Sequence, residues 1–312
     1  MVGQRKMKIL WAVDLFEETN GLRTRVIQTL QKISEKQKLE VEPVYVLSPQ
    51  GLDLALEFSP SWIAQYKPAA EKSLLQMLSG IQLPGLKAPR VLVQSRPSLK
   101  FMVKTLVQYA KNSQADLIVI GTHSKKGISR LFLGSFAEST LLASQVPVLV
   151  VGPHSEPTQL KSILFPTEFG NKKDPMFQVV LGLAKKFNAK VTLFHVLSHP
   201  IEPLLQSGAY LLGGGWVDLP KYMTQVEEVN RRQADQWHAQ ARKMGVTAEV
   251  VFSPSGGNVS RRILDYAKEH PVDLIAMAAH SGPMASALIG SISRQVVREA
   301  HCPVWILRSE SG

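Results

Sequence analysis

The sequence predicts an α/β protein of two tandem domains, each a five-stranded parallel sheet with helices on both faces. Three observations carry this. The chain has 312 residues, long for one compact domain and sufficient for two of about 150 residues each. It repeats itself at offsets of 150 to 157 residues, the mark of a duplicated unit. Within each copy, short β-branched apolar runs alternate with longer stretches of helical periodicity, the pattern of a parallel sheet buried on both sides.

The repeat is read from matching segments. Residues 8–15, with Asp14 near their end, are answered by 162–169, with Glu168, at an offset of 154. Residues 44–49, around Val46, are answered by 194–200, around Val196, and 115–120 by 272–277. Gly134 and Ser135 return as Gly290 and Ser291, and Val146 and Pro147 as Cys302 and Pro303, both at an offset of 156. The boundary falls near residue 155, beside Glu156 and Pro157, giving a first domain over 1–155 and a second over 156–312.

Taken in order, the first strand, 8–14, is an apolar run closing on an acid, Asp14. A helix over 20–36 leads to the strand at 40–47, which ends beside Val46. The connection at 48–64 lacks strong periodicity and reads as a crossover rather than a lid or partner surface. Helix 65–79, strand 90–95 and helix 98–112 follow, then the strand at 116–121, which ends on Gly121. After a loop, helix 135–144 starts behind Gly134, and the last strand, 147–151, begins at Pro147, where a missing N–H is tolerated. The second copy repeats the order, with strands over 162–167, 190–196, 247–252, 273–278 and 303–307. Its helices are expected over 175–187, 220–244, 258–269 and 291–299, and its long connection, 198–219, contains Gly213, Gly214 and Gly215.

Composition narrows the class. Hydrophobic residues make up 45% and charged residues 20% of the chain, ordinary for a globular protein and far from a disordered one. The one cysteine, Cys302, excludes an intramolecular disulfide and a Cys-based zinc cluster, and its apolar neighbours mark a buried, inert thiol. The basic start at 4–8 is followed by too few apolar residues for a secretory leader, and nowhere do about 18 apolar residues run uninterrupted. A cytoplasmic protein without a membrane span is expected. The net charge of +11 concentrates in the first half, where 19 Lys/Arg face 11 Asp/Glu, against 17 and 14 in the second. That balance favours anionic partners, while the lack of a long Lys/Arg run or RNA-binding aromatic motif argues against nucleic acid.

In an open parallel sheet, ligands bind beyond the carboxyl ends of the strands, where strand order reverses. Three segments of the first copy converge there. Asp14 can accept hydrogen bonds from a sugar hydroxyl or an adenine amine, or else cap the following helix. Val46 can wall an apolar pocket. The run 121–139 leaves the fourth strand at Gly121, loops, and enters a helix at Gly134 and Ser135, where free N–H groups and the helix dipole favour phosphate. Lys125, Lys126 and Arg130 in that loop can neutralise phosphate charge or stay as solvated surface charge. His123 and His280 recur at matching places without a second ligand at metal spacing.

These residues resemble the universal stress protein family in its tandem, two-domain form. Its nucleotide-binding members carry Gly-x2-Gly-x9-Gly followed by Ser or Thr between the fourth strand and the last helix. The spacing is kept as Gly121, two residues, Ser124, nine residues, Gly134 and Ser135, with a serine in place of the second glycine. The resemblance implies a Rossmann-like, adenine-nucleotide α hydrolase-like fold in each copy, and ATP or AMP, with or without Mg2+, as the ligand. It implies nucleotide contacts from Ala12, Val13, Asp14 and Val46, and phosphate and ribose contacts from Gly121, Thr122, Ser124, Gly134, Ser135, Phe136 and Ala137. It also implies antiparallel pairing of the fifth strands, 148–151 with 304–307. One chain would then form an internal pseudo-dimer, and pairing of whole chains into a homodimer stays open.

The second copy departs further. Glu168 replaces Asp14, Ala278 stands where Gly121 was, and eight rather than nine residues separate Ser281 from Gly290. The first domain is therefore the expected binder. The function expected is a regulatory module of the stress response that binds an adenine nucleotide and changes its contacts with a protein partner the sequence does not name. The alternative is an interaction protein with vestigial pockets. An enzyme is not expected, because no Walker A, Gly-x-Ser-x-Gly or His-Glu-x-x-His pattern occurs; weak ATP hydrolysis or autophosphorylation stays open.

Overall fold

The computed structural model describes residues 5–15, 21–49, 60–122, 134–156, 158–169, 174–197, 219–254, 257–278 and 290–308. Copy one contributes β1 (Met7–Ala12), α1 (Leu22–Ser34), β2 (Leu39–Leu47), α2 (Lys67–Leu78) and β3 (Arg90–Val93). It continues with α3 (Leu99–Asn112), β4 (Leu117–Gly121), α4 (Ser135–Ala143) and β5 (Val148–Val151). Copy two contributes β6 (Ser162–Pro166), α5 (Pro175–Phe187), β7 (Lys190–Val196), α6 (Leu219–Lys243) and β8 (Ala248–Ser253). It closes with α7 (Val259–Glu269), β9 (Leu274–Ala278), α8 (Ser291–Glu299) and β10 (Val304–Leu307).

All ten strands join one sheet in the order β3-β2-β1-β4-β5-β10-β9-β6-β7-β8. Every pairing is parallel except β5 with β10, which is antiparallel and joins the copies. In each half the chain runs outward through three strands and returns to the other side of the first. Strand order therefore reverses between β1 and β4, and again between β6 and β9.

Two apolar layers cover the sheet. On one face Trp11, Leu30, Leu74, Phe177 and Trp237 pack beneath α1, α2, α5 and α6. On the other, Leu10, Leu106, Leu141, Ile263 and Val296 pack beneath α3, α4, α7 and α8. The first layer is aromatic in copy two, where the Phe177 ring stacks on Trp237 at 4.3 Å and Phe165 on Trp237 at 6.3 Å.

An aspartate ties the start of the first strand in both copies. Asp116 accepts from the Lys8 amide at 2.8 Å and pairs with Arg5 at 3.0 Å. Its counterpart Asp273 accepts from the amides of Lys161 at 2.7 Å, Ser162 at 3.1 Å and Gln159 at 3.3 Å. The turn before β3 depends on Gly85, at φ +80°, where a Cβ would lie 2.1 Å from the Leu39 carbonyl oxygen.

The elements follow the sequence pattern, with two differences. The first strand stops at Ala12 rather than 14, because its ladder partners end there: Ala12 pairs with Val44 on one side and Ile120 on the other. Val13 and Asp14 are left beyond the ladder. The helix expected from residue 65 is instead a short turn, Pro60–Ile63, a 3-10 turn, Ala64–Tyr66, and then α2. Trp62 meets Tyr66 edge-on at 5.0 Å and fixes that junction.

Candidate functional site

The parallel register brings the carboxyl ends of β1, β2 and β4 side by side. The Val13 amide donates to the Val44 carbonyl at 2.9 Å, and the Thr122 amide to the Val151 carbonyl at 2.9 Å, so both backbones are anchored as they leave the sheet. Ala12, Val13 and Gly121 are half-buried, Val46 and Thr122 are buried, and Asp14 is exposed at the rim. A Cβ on Gly121 would lie 3.0 Å from Leu22 Cγ, so this glycine lets β4 sit close against α1.

Helix α4 links the carboxyl end of β4 to the amino end of β5, which sets its N-terminus at the same end of the sheet. Gly134 caps it with φ −52° and ψ 133° and no side-chain hydrogen bond. Helices α5 and α7, by contrast, are capped by Asp174 and Asn258, whose side chains accept first-turn amides. No capping side chain occupies the start of α4, where first-turn N–H groups and the dipole favour an anion. Ser135 is exposed there, Phe136 half-buried and Ala137 buried. Ser124, with Lys125, Lys126, Arg130 and His123, lies outside the described residues; the remaining candidates share one end of one sheet.

Asp14 is not a helix cap. Helix α1 starts at Leu22 behind Gly21, whose φ of 87° makes the turn. The carboxylate acts instead on Tyr45: burial and, second to it, the Asp14 charge push the phenol from 10.0 up to about 12.

Copy two is built differently at the matching place. His195, the counterpart of Tyr45, is buried. Its Nδ1–H donates to the Thr167 carbonyl at 2.7 Å, and its Nε2 accepts from the Asn230 amide at 3.1 Å. Because a carbonyl can only accept, the Nδ1–H tautomer follows. Phe169, buried with φ 49°, packs against His195 at 5.4 Å and Trp237 at 5.5 Å. The backbone after β6 is thus bound to the protein's own side chains where copy one leaves Val13 and Asp14 at the rim. Gly290 caps α8 without a side-chain bond, as Gly134 caps α4, and Ala278 ends β9; His280, Ser281 and Gly282 lie outside the described residues. The role of His195 was missed in the sequence, although Tyr45 and His195 share a signal: a polar ring inside an apolar strand, once per copy.

A second concavity, of about 430 Å³, opens at the amino ends of β1 and β2. Its charges are largely paired with one another: Lys87 with Glu40 at 3.5 Å, and Arg90 and the Tyr109 hydroxyl with Glu42 at 2.9 Å each. Among the described residues no group of three or more His, Cys, Asp or Glu could hold a metal ion, and no helix is long and apolar enough to cross a membrane.

Comparison with known proteins gives the same architecture twice. The model of the universal stress protein family matches residues 7–152 and again 159–308. A universal stress protein of Methanocaldococcus jannaschii is 30% identical over 122 residues, 38% of this chain and 68% of that protein. One of Mycobacterium tuberculosis is 40% identical over 83 residues, and the match spans about a quarter of each protein, 26% of both. Among solved structures, a universal stress protein of Archaeoglobus fulgidus superposes with TM-score 0.62 at 16% identity, covering 96% of this chain and 98% of that one. A functionally unknown protein of Pseudomonas aeruginosa gives 0.59 at 14% identity, covering 98% and 93%. At those identities the superpositions speak for the fold.

Proposed function

Since the chain belongs to the universal stress protein family through both of its halves, we propose that it is a cytoplasmic regulator of the stress response whose first copy binds ATP or AMP. One observation carries the reading. The carboxyl ends of β1, β2 and β4 meet the glycine-capped start of α4 at the point where strand order reverses, which is where open α/β sheets hold ligands. Asp14 and the backbone at Ala12 and Val13 take the adenine and ribose, Val46 walls the base, and Gly121, Thr122, Gly134, Ser135, Phe136 and Ala137 take the phosphates with Ser124. A bound magnesium ion would be held by the phosphates rather than by a protein cluster. The nucleotide acts by changing how the loop faces a protein partner, so the chain is a switch rather than an enzyme.

Copy two serves as the structural partner of copy one. The hydrogen bond from His195 to the Thr167 carbonyl, at 2.7 Å, favours this division, since it engages the backbone that in copy one is left for the ligand.

Calorimetric titration with ATP, ADP and AMP tests the assignment. Wild type is expected to bind with micromolar affinity, Gly134→Asp to lose binding because a carboxylate occupies the phosphate seat, and Gly290→Asp to retain it. Equal binding by the Gly134→Asp chain, or none by folded wild type, would contradict the proposal.

A further inference from the structure

The seam between the copies is not symmetric, and the asymmetry has a direction. Offsets of 156 relate the end of copy one to the end of copy two, so Leu149 and Trp305 are counterparts, as are Glu138 and Arg294. Across the seam β5 and β10 pair Val150 with Val304, Leu149 with Trp305 and Val148 with Ile306. Each central residue therefore faces its own counterpart. Two like copies meeting through this geometry would set Leu against Leu or Trp against Trp.

Leu149 and Trp305 are both buried, and the indole also packs on Phe187 at 6.2 Å. A Leu–Leu pair would leave a void in place of the indole, and a Trp–Trp pair would overfill the same space.

The flanking helices repeat the rule with charge. Arg294 on α8 lies 3.3 Å from Glu138 on α4. Like copies would oppose two glutamates or two arginines here. The pair is partly exposed, at 42% and 33%, so its attraction is small; its weight lies in the repulsion any wrong pairing brings. A third contact has the same sense. The Arg308 guanidinium donates to the Leu141 carbonyl of copy one, while the counterpart of Arg308 is Gly152, which lies against the Val297 and Ala300 carbonyls with no side chain to donate.

We infer that the seam is a heterotypic recognition surface: the copy-one edge fits copy two and rejects a second copy one. Its occupant is copy two of the same chain, which the short connection between β5 and β6 holds at high local concentration. The chain thereby closes on itself instead of linking head to head with others.

Substitutions in the full-length chain recreate the rejected pairings. Trp305→Leu and Arg294→Glu imitate copy one against copy one; Leu149→Trp and Glu138→Arg imitate copy two against copy two. Each is expected to lower the thermal midpoint, the buried pair by at least about 3 °C. The double exchanges, L149W/W305L and E138R/R294E, restore complementarity in reversed order and are expected to recover at least half of the summed loss. Should the tryptophan variants fail to fold, the charge exchange decides alone. Losses that simply add in the double exchanges, or a W305L/R294E chain that melts with wild type, would overturn the inference.

Discussion

Single residues decide the chemistry at the rim of copy one, and two titrations report on them. The Tyr45 phenol is raised by burial and by the Asp14 carboxylate to about 12, and the Cys302 thiol, 1% exposed, is raised from 9.0 to about 12 mainly by burial. For an acid whose folded value is raised, the stabilisation is complete below the unfolded value and is lost as pH climbs toward the folded one. The thermal midpoint is therefore expected to fall between about pH 9 and 12, and Tyr45→Phe to flatten the upper part of that fall; a midpoint indifferent to pH there would count against both assignments. Cys302 is expected to resist a thiol reagent at pH 8 until the chain unfolds. A native thiol that reacts at once would show that the seam strand is not closed. At this scale the sequence was most legible where a residue type implies a geometry. Gly134 and Ser135 announce a helix start open to anions, while the tie from His195 to Thr167 spans two strands and follows from no local pattern.

At the scale of elements, the period of the apolar residues places nearly every helix and strand, because each is a buried face of fixed repeat. What periodicity does not fix is where a strand stops. That depends on its neighbours, and β1 ends at Ala12 because Val44 and Ile120 are its last partners. The clamp at Asp273 is a second non-local feature. Its carboxylate holds three amides at the entrance to β6, so Asp273→Ala is expected to destabilise the chain by about 1–3 kcal/mol, read by denaturant unfolding. Asn keeps one acceptor and is expected to fall between Ala and wild type; no loss in either variant would remove the clamp from the account. Gly85 sets another limit. With φ +80° and a carbonyl 2.1 Å from any Cβ, Gly85→Ala is expected to cost at least about 2 kcal/mol. Wild-type stability in that variant would mean that the turn before β3 can be rebuilt.

The whole molecule is a ten-stranded sheet whose halves are the same fold facing each other. The duplication was readable from the recurrence of Gly134–Ser135 and Val146–Pro147. The pairing of the fifth strands came only through family resemblance, because nothing in 148–151 or 304–307 alone states which edge each will meet. The complementarity of Leu149 with Trp305 and of Glu138 with Arg294 becomes visible once those edges are joined. An almost symmetric body with unequal ends gives the account its central claim: a chain built from two copies carries one nucleotide. Native mass spectrometry of the intact chain with ATP present tests this most directly. One chain plus one nucleotide is the expected mass, and it should persist in Gly290→Asp and vanish in Gly134→Asp. Two nucleotides per chain, or a wild-type chain that stays unliganded at saturating ATP, would contradict it.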